Sequence, residues 1–311
     1  MSINAIFNEE VLVAYYSLSV TIIGTIFNML NFIVLCRSRF RHSKTRPTFH
    51  YLRAIAIFDI LMLFGWNLDH YLAPIHGFKI QTLSIPLCRF LSFFNYFVSQ
   101  TSAWLRVFVC FDRYLILSRL HKTWFSNSKH VLLIICFILC FSFALNSIFF
   151  IFGCSISVKG NIRVESWAFP IYPLWDYVNL TVYNCIPFLL MTIFNSCVIY
   201  HLIHLHRTST VQNSQIQHRS ISITLVITNF LFLIMTIPGT VIFAFFYSQT
   251  HITLRRFLDG ILYTYHIISF PLYMITFDEF RKEFITMMTC GIIKPRSASL
   301  YGTHPYLMST V

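Results

Sequence analysis

Apolar residues dominate seven long stretches of the chain, residues 11–36, 49–72, 87–118, 131–152, 174–204, 221–247 and 257–277, with polar and basic residues gathered between them. A helix needs about 20 mostly apolar residues to cross a bilayer, and every stretch is that long. Beyond the last, Asp278-Glu279-Phe280-Arg281-Lys282-Glu283-Phe284 sets Phe280 and Phe284 on one face of a helix whose other face is charged. The pattern predicts an all-α membrane protein: a seven-transmembrane helix bundle over residues 11–277 and a short amphipathic eighth helix over 278–290, flanked by an outer segment 1–10 and an inner tail 291–311. No internal repeat of about 20 to 50 residues, Pro-rich linker or low-complexity tract interrupts it, and no room is left for a separate soluble domain.

Composition agrees. The 311 residues are 11% charged and 56% hydrophobic, with 34 Phe, against about a quarter charged in a soluble globular chain. A net charge of +12 raises nucleic acid as a partner, but in a membrane protein the position of each Lys and Arg matters more. With the N-terminus outside, fifteen of the 23 fall on the inner side and six outside, leaving Arg53 and Arg106 within spans. This asymmetry predicts an outer N-terminus, an inner C-terminus and no nucleic-acid partner. Glu9 and Glu10 before the first span, and the basic residues from Arg37 to Arg46 after it, mark that span as an uncleaved signal anchor without a signal peptide. Six of the nine Cys lie within spans, as small inert side chains. Cys88, at the outer start of the third span, and Cys154, just beyond the fourth, face an oxidising compartment in this topology and are paired as a disulfide.

Seven helices alone do not name a function; the polar residues inside them say more. Phe111-Asp112-Arg113-Tyr114-Leu115 lies towards the inner end of the third span, with Arg113 25 residues beyond Cys88. The stretch resembles the Asp-Arg-Tyr motif of rhodopsin-like G-protein-coupled receptors, and the resemblance runs from the first span to the eighth helix. Asn28 looks like the family's Asn of helix 1, Asp59 like its Asp of helix 2, and Ser102 like the hydroxyl recruited to its sodium site. Pro187 and Pro238 match the prolines of helices 5 and 6, and Phe232 matches the Phe of the helix 6 motif. Ser269-Phe270-Pro271-Leu272-Tyr273 resembles the Asn-Pro-x-x-Tyr motif, with Pro271 moved by one residue before Tyr273.

The resemblance implies a multi-pass receptor of the plasma membrane that binds an extracellular ligand and activates a heterotrimeric G protein. Asp112 would restrain Arg113 until the inner helix ends part, after which Asp112, Arg113 and Tyr114 couple to the G protein. Asn28, Asp59, Ser102, Arg106, Pro187, Phe232, Pro238, Pro271 and Tyr273 would form the activation switch. Cys290 is a palmitoylation candidate. No cofactor, metal or enzymatic activity is expected.

The chain also departs from the family. Thr236 replaces the helix 6 Trp, Asn195 the helix 5 Tyr, and the helix 4 Trp is absent. No acidic residue lies near His218 and Arg219 at the inner end of the sixth span, so the inactive state is expected to be held less firmly. Arg106 stands two turns before Arg113, on the same face, where the family has an apolar side chain. An unpaired Arg at mid-bilayer costs about 2.5 to 3.5 kcal/mol or more. Two readings follow: an ion pair with Asp59 that replaces a bound sodium ion, or a side chain snorkelling to cytoplasmic water.

For the ligand, Asn95 stands where aminergic receptors carry Asp, and Tyr263 where opsins carry the retinal Lys, which argues against both ligand types. Trp66, Asp69, Asn95, Asp259 and Tyr263 are the pocket candidates, with His70, Asp176, Arg255 and Arg256 also at outer helix ends. Trp167 and Trp175 are read as residues of the interfacial aromatic belt. The second outer loop, about 153–176, is long enough for a hairpin lid, and both a peptide and a small chemosensory molecule fit. Asn179-Leu180-Thr181 is a glycosylation sequon too close to the fifth span to be expected to carry sugar, and Ser309-Thr310-Val311 fits a PDZ-domain ligand.

Other functional classes fit the sequence less well. A seven-helix intramembrane enzyme needs carboxylates or His at a common depth; His201, His204 and His206 instead mark the solvated end of the fifth span. A transporter would show inverted repeats, and a ligand-gated channel of the chemosensory type needs the opposite topology.

Overall fold

Seven helical spans follow one another in the computed structural model, which describes residues 3–37, 40, 48–118, 128–157, 160–164, 171, 174–208 and 212–289. Trp167, Cys290 and the terminal Ser309-Thr310-Val311 lie outside the described residues. The first span is Ile3–Cys36, the second Thr48–Leu63 continued by Trp66–His76, the third Ile85–Leu117, and the fourth Ser128–Asn146 with a last turn Phe149–Phe152. The fifth joins Leu174–Asn179, a π-helical turn Leu180–Cys185 and Ile186–Thr208; the sixth is Gln212–Phe245; the seventh is Ile252–Tyr265 and Ser269–Thr276. The eighth helix, Asp278–Met288, leaves the seventh span at 95°. Most of segment 1–10, expected as a separate outer segment, is the first two turns of the first helix.

The bundle is apolar on its outside as well as in its core. Ile22, Ile26, Met29 and Ile33 on the first span and Leu133, Phe137 and Phe141 on the fourth are exposed at helical spacing, where they meet lipid. Asn28, Asp59, Ser102, Arg106, Asn184 and His266 are buried. Lipid tails are as apolar as Leu, so burial of Leu does not draw spans together; close packing and hydrogen bonds between them do. The third span carries Arg106, Asp112 and Arg113, all buried, and packs on the second, fourth and fifth, which shield them. Its start is fixed locally: the Ser84 hydroxyl accepts from the Leu87 amide at 3.4 Å, and Pro86 occupies the first turn, where a missing N–H costs nothing.

In three spans an irregularity places a polar group. The second span breaks at Gly65, where the Asn95 side chain of the third span accepts from the Trp66 amide at 3.0 Å. A Cβ on Gly65 would lie 2.1 Å from that Asn95 oxygen. The fifth span widens into its π-turn just before Pro187, whose ring nitrogen has no proton to continue the α-helical ladder. The seventh breaks over residues 266–268, so that Pro271 falls in the first turn of a new helix. The sixth, in contrast, runs through Pro238 as one helix.

At the outer end, Cys88 and Cys154 form a disulfide with Cα atoms 6.2 Å apart. It ties the second outer loop to the third span, and the loop begins with an antiparallel hairpin, β1 (Ser155–Ile156) against β2 (Ile162–Arg163), turning at Gly160 with φ +79°. Trp175 does not sit in the lipid belt. It is 7% exposed and packs with Phe93, Tyr96, Phe149 and Ile171, edge-on to Phe149 at 5.2 Å. The aromatic surface of the third and fourth spans supplies a better site for its ring than the interface does.

At the inner end, Arg53 closes the first span by donating to the carbonyls of Leu35 at 2.9 and 2.7 Å and of Phe40 at 3.3 Å. Arg37 meets Glu283 of the eighth helix at 2.8 Å. Phe280 is wholly buried under Phe270 and Tyr273, so the apolar face of the eighth helix packs on the base of the seventh span.

Candidate functional site

Between the outer ends of the spans lies a cavity of about 820 Å³. Trp66, Asp69, Asn95, Asp259 and Tyr263, the residues expected from the sequence, all line it, together with His70, Asp176 and Arg255. Several are committed within the protein. Asp69 accepts from the amides of Ile80 at 2.7 Å and Gln81 at 3.1 Å, which holds the first outer loop in its short 3-10 turn. Asn95 spends its carbonyl oxygen on the Trp66 amide and its NH2 on the Leu91 carbonyl at 2.8 Å. The polar atoms of these two side chains therefore build the cavity wall as well as line it. Asp176 accepts from the Tyr96 hydroxyl at 3.1 Å, and His70 lies 3.5 Å from Asp259 with its ring edge-on to Tyr263. The Arg255 guanidinium stacks over the Tyr247 ring at 4.1 Å. Asn179, the sequon residue, also faces inward, accepting from Gln100 at 3.1 Å, and Gln100 in turn accepts from Asn146 at 2.8 Å.

Below the cavity, the middle of the bundle holds a cluster of charged and polar groups. Arg106 donates to both carboxylate oxygens of Asp59, at 2.9 and 2.7 Å, with side chains 6% and 0% exposed. The guanidinium is turned into the bundle, away from the snorkelling path. Ser102 completes the site, donating to Asp59 at 2.9 Å and accepting from Arg106. A third group, His266, lies with Nδ1 2.7 Å from Asp59 and with Nε2 3.3 Å from the Tyr183 hydroxyl. Asn28 crosses from the first span to donate to the His266 carbonyl at 2.9 Å, filling the gap left by the break in the seventh span.

Rings enclose this cluster. Tyr265 covers the Arg106 guanidinium at 4.9 Å, a cation–π contact sheltered from water. Phe232 sits edge-on to both Tyr265, at 5.3 Å, and Tyr183, at 5.6 Å. Thr236, in place of the family's helix 6 Trp, donates to Asn184 at 2.6 Å, and Asn184 donates to Thr240 at 2.9 Å. The fifth and sixth spans are thereby joined by amide and hydroxyl groups on either side of Pro238.

At the inner end, the Thr48 hydroxyl donates to the Asp112 carboxylate. Arg113 is 1% exposed, and the Tyr114 ring lies 6.3 Å from Phe194 and 5.9 Å from His201. Tyr273 packs edge-on to Phe280 at 5.4 Å. The side chains of His204, His206, His218 and Arg219 lie outside the described residues.

Sequence reasoning placed Asp59, Ser102 and Arg106 but passed over His266, Tyr183, Tyr265 and Asn184. For His266 a signal existed: an ionisable side chain inside a span calls for a partner. Tyr183 and Asn184 had none, because nothing in the order of residues marks the π-turn that directs both inward.

The family described as 7 transmembrane receptor (rhodopsin family) matches residues 28–298. No curated protein matches the chain.

Proposed function

Because the chain belongs to the rhodopsin family of seven-transmembrane receptors, we propose that it carries an extracellular signal, a peptide or a small chemosensory molecule, across the plasma membrane to a heterotrimeric G protein. A ligand entering the outer cavity favours a second packing of the bundle and shifts the balance between the two by its differential affinity. In that packing Arg113 leaves its buried position and, with Asp112 and Tyr114, meets the G protein. The observation that carries this reading is the outer cavity, one of whose lining side chains, Tyr183, reaches the buried cluster around Asp59 through His266. Agonist-independent nucleotide exchange, read across a panel of Gα subunits in cells expressing wild type or Arg113→Ala, tests it without a known ligand. Exchange should fall to background in the variant at equal surface expression; undiminished exchange in Arg113→Ala contradicts the assignment.

Arg106 adds a specific property. The place beside Asp59 and Ser102, where the family binds sodium, is taken by a guanidinium held at two points, so the residues present do not suit a metal ion. The receptor then carries its own counter-charge and does not respond to sodium. Purified receptor should unfold at the same temperature in sodium chloride and in choline chloride of equal ionic strength; a rise specific to sodium contradicts the replacement.

A further inference from the structure

Tyr183 and Asn184 are neighbours in sequence, and both are buried in the bundle, at 1% and 0% exposure. The π-turn Leu180–Cys185 aims them at two different spans. Tyr183 reaches His266 of the seventh at 3.3 Å, and Asn184 reaches Thr236 and Thr240 of the sixth at 2.6 and 2.9 Å. We infer that Tyr183, through His266, is the positioning residue by which an occupant of the outer cavity acts on the buried Asp59–Arg106 pair. The inference rests on the cavity being the ligand site.

Tyr183 belongs to the cavity lining as well as to the buried cluster. The path from its hydroxyl is short: His266 Nε2 at 3.3 Å, then Nδ1 of the same ring 2.7 Å from Asp59 Oδ1, then Arg106 on the same carboxylate. Asp59 faces the Arg106 guanidinium as a carboxylate, which has no proton to give, so the proton at this contact sits on His266 Nδ1. Nε2 of the neutral ring is left to accept from the Tyr183 hydroxyl. An occupant that takes this hydroxyl for its own hydrogen bond strips Nε2 of its partner and loosens the imidazole. The ring belongs to the break at residues 266–268, the least regular part of the seventh span, whose carbonyl is held by Asn28 alone among the described side-chain contacts. A displaced Tyr183 thus acts where the backbone yields most easily, beside the charge pair that holds the second and third spans together.

The test uses purified full-length receptor as wild type, Tyr183→Phe, His266→Gln and the double variant. It reads hydrogen–deuterium exchange over residues 264–270 and, separately, agonist-independent nucleotide exchange. Tyr183→Phe keeps the ring and its packing on Phe232, so a purely structural tyrosine leaves both readings unchanged. The relay requires deuterium exchange in the break to rise about fivefold in Tyr183→Phe, the equivalent of one net hydrogen bond of about 1 kcal/mol. His266→Gln should show a similar rise, and the double variant no more than either single change, because both act on one path. Wild-type exchange in Tyr183→Phe, or effects that add in the double variant, overturn the relay. The deuterium reading does not involve a G protein. A positive result there with nucleotide exchange absent in every form upholds the relay and counts against the coupling; the converse result does the opposite.

Discussion

The Arg106 guanidinium bridges both oxygens of an Asp59 carboxylate that has no exposure to solvent. Charge-assisted hydrogen bonds are among the strongest polar contacts, but each charge taken from water costs several kcal/mol, so the loss of one partner exposes the cost of the other. Arg106→Leu should therefore destabilise the receptor by about 3 to 5 kcal/mol, read as a lower unfolding temperature and poor surface expression. Arg106→Leu combined with Asp59→Asn removes the stranded charge and should recover most of the loss. A double variant as unstable as the single one would show that the pair is not the origin of the effect.

Glu283 and Arg37 make the opposite case. Their contact is 2.8 Å, but whereas the Glu283 side chain is 11% exposed that of Arg37 is 40% exposed, so water reaches the guanidinium and screens the pair to less than about 1 kcal/mol. Glu283→Gln should leave the unfolding temperature within about 2 °C of wild type and become undetectable in high salt. A shift comparable to that of Arg106→Leu would mean that the eighth helix depends on this ion pair rather than on Phe280.

Gly65→Ala should cost about 1 to 3 kcal/mol, because the new Cβ meets the Asn95 oxygen at 2.1 Å. Asn95→Ala relieves the clash but leaves the Trp66 amide without its acceptor. The combined variant should therefore recover only part of the loss in a thermal unfolding assay, and full recovery would show that the bond to Trp66 contributes nothing.

Cys88→Ser and Cys154→Ser remove one bond closing a loop with a sequence separation of 66 residues, for which chain entropy gives about 4 kcal/mol. Each single variant and the double should lose surface expression to the same extent. Unequal losses would indicate that one Cys acts apart from the bond.

Much of this architecture is legible from residue order alone, and the reasons differ by element. The spans are visible because a bilayer demands uninterrupted apolar length, and Asp59 and Arg106 because intramembrane charge demands a partner. Span interiors are another matter. When every face of a helix is apolar, periodicity cannot separate an α-turn from the π-turn at residues 180–185, nor foresee the break at 266–268. His266 was visible as an intramembrane ionisable group, but its partner is 207 residues away in sequence. The positions of Asn95 and Asp69 near the outer mouth are legible in the sequence, but the backbone amides they also hold, those of Trp66, Ile80 and Gln81, are not. Trp175 was assigned to the interface by residue type, and its burial follows from the aromatic surface that the third and fourth spans happen to present.

The π-turn also limits how this receptor can be recombined with others. A helical residue corresponds to about 100° of rotation, so a graft that replaces the outer part of the fifth span with a regular helix turns everything above the junction out of register by roughly that angle. Tyr183 and Asn184 would then face different neighbours although their identities were preserved. Chimeras cut at or below Pro187 carry the turn with the outer segment and keep its register; those cut above residue 180 keep it with the inner segment. A cut between the two divides a single structural unit, whatever the similarity of the sequences joined there.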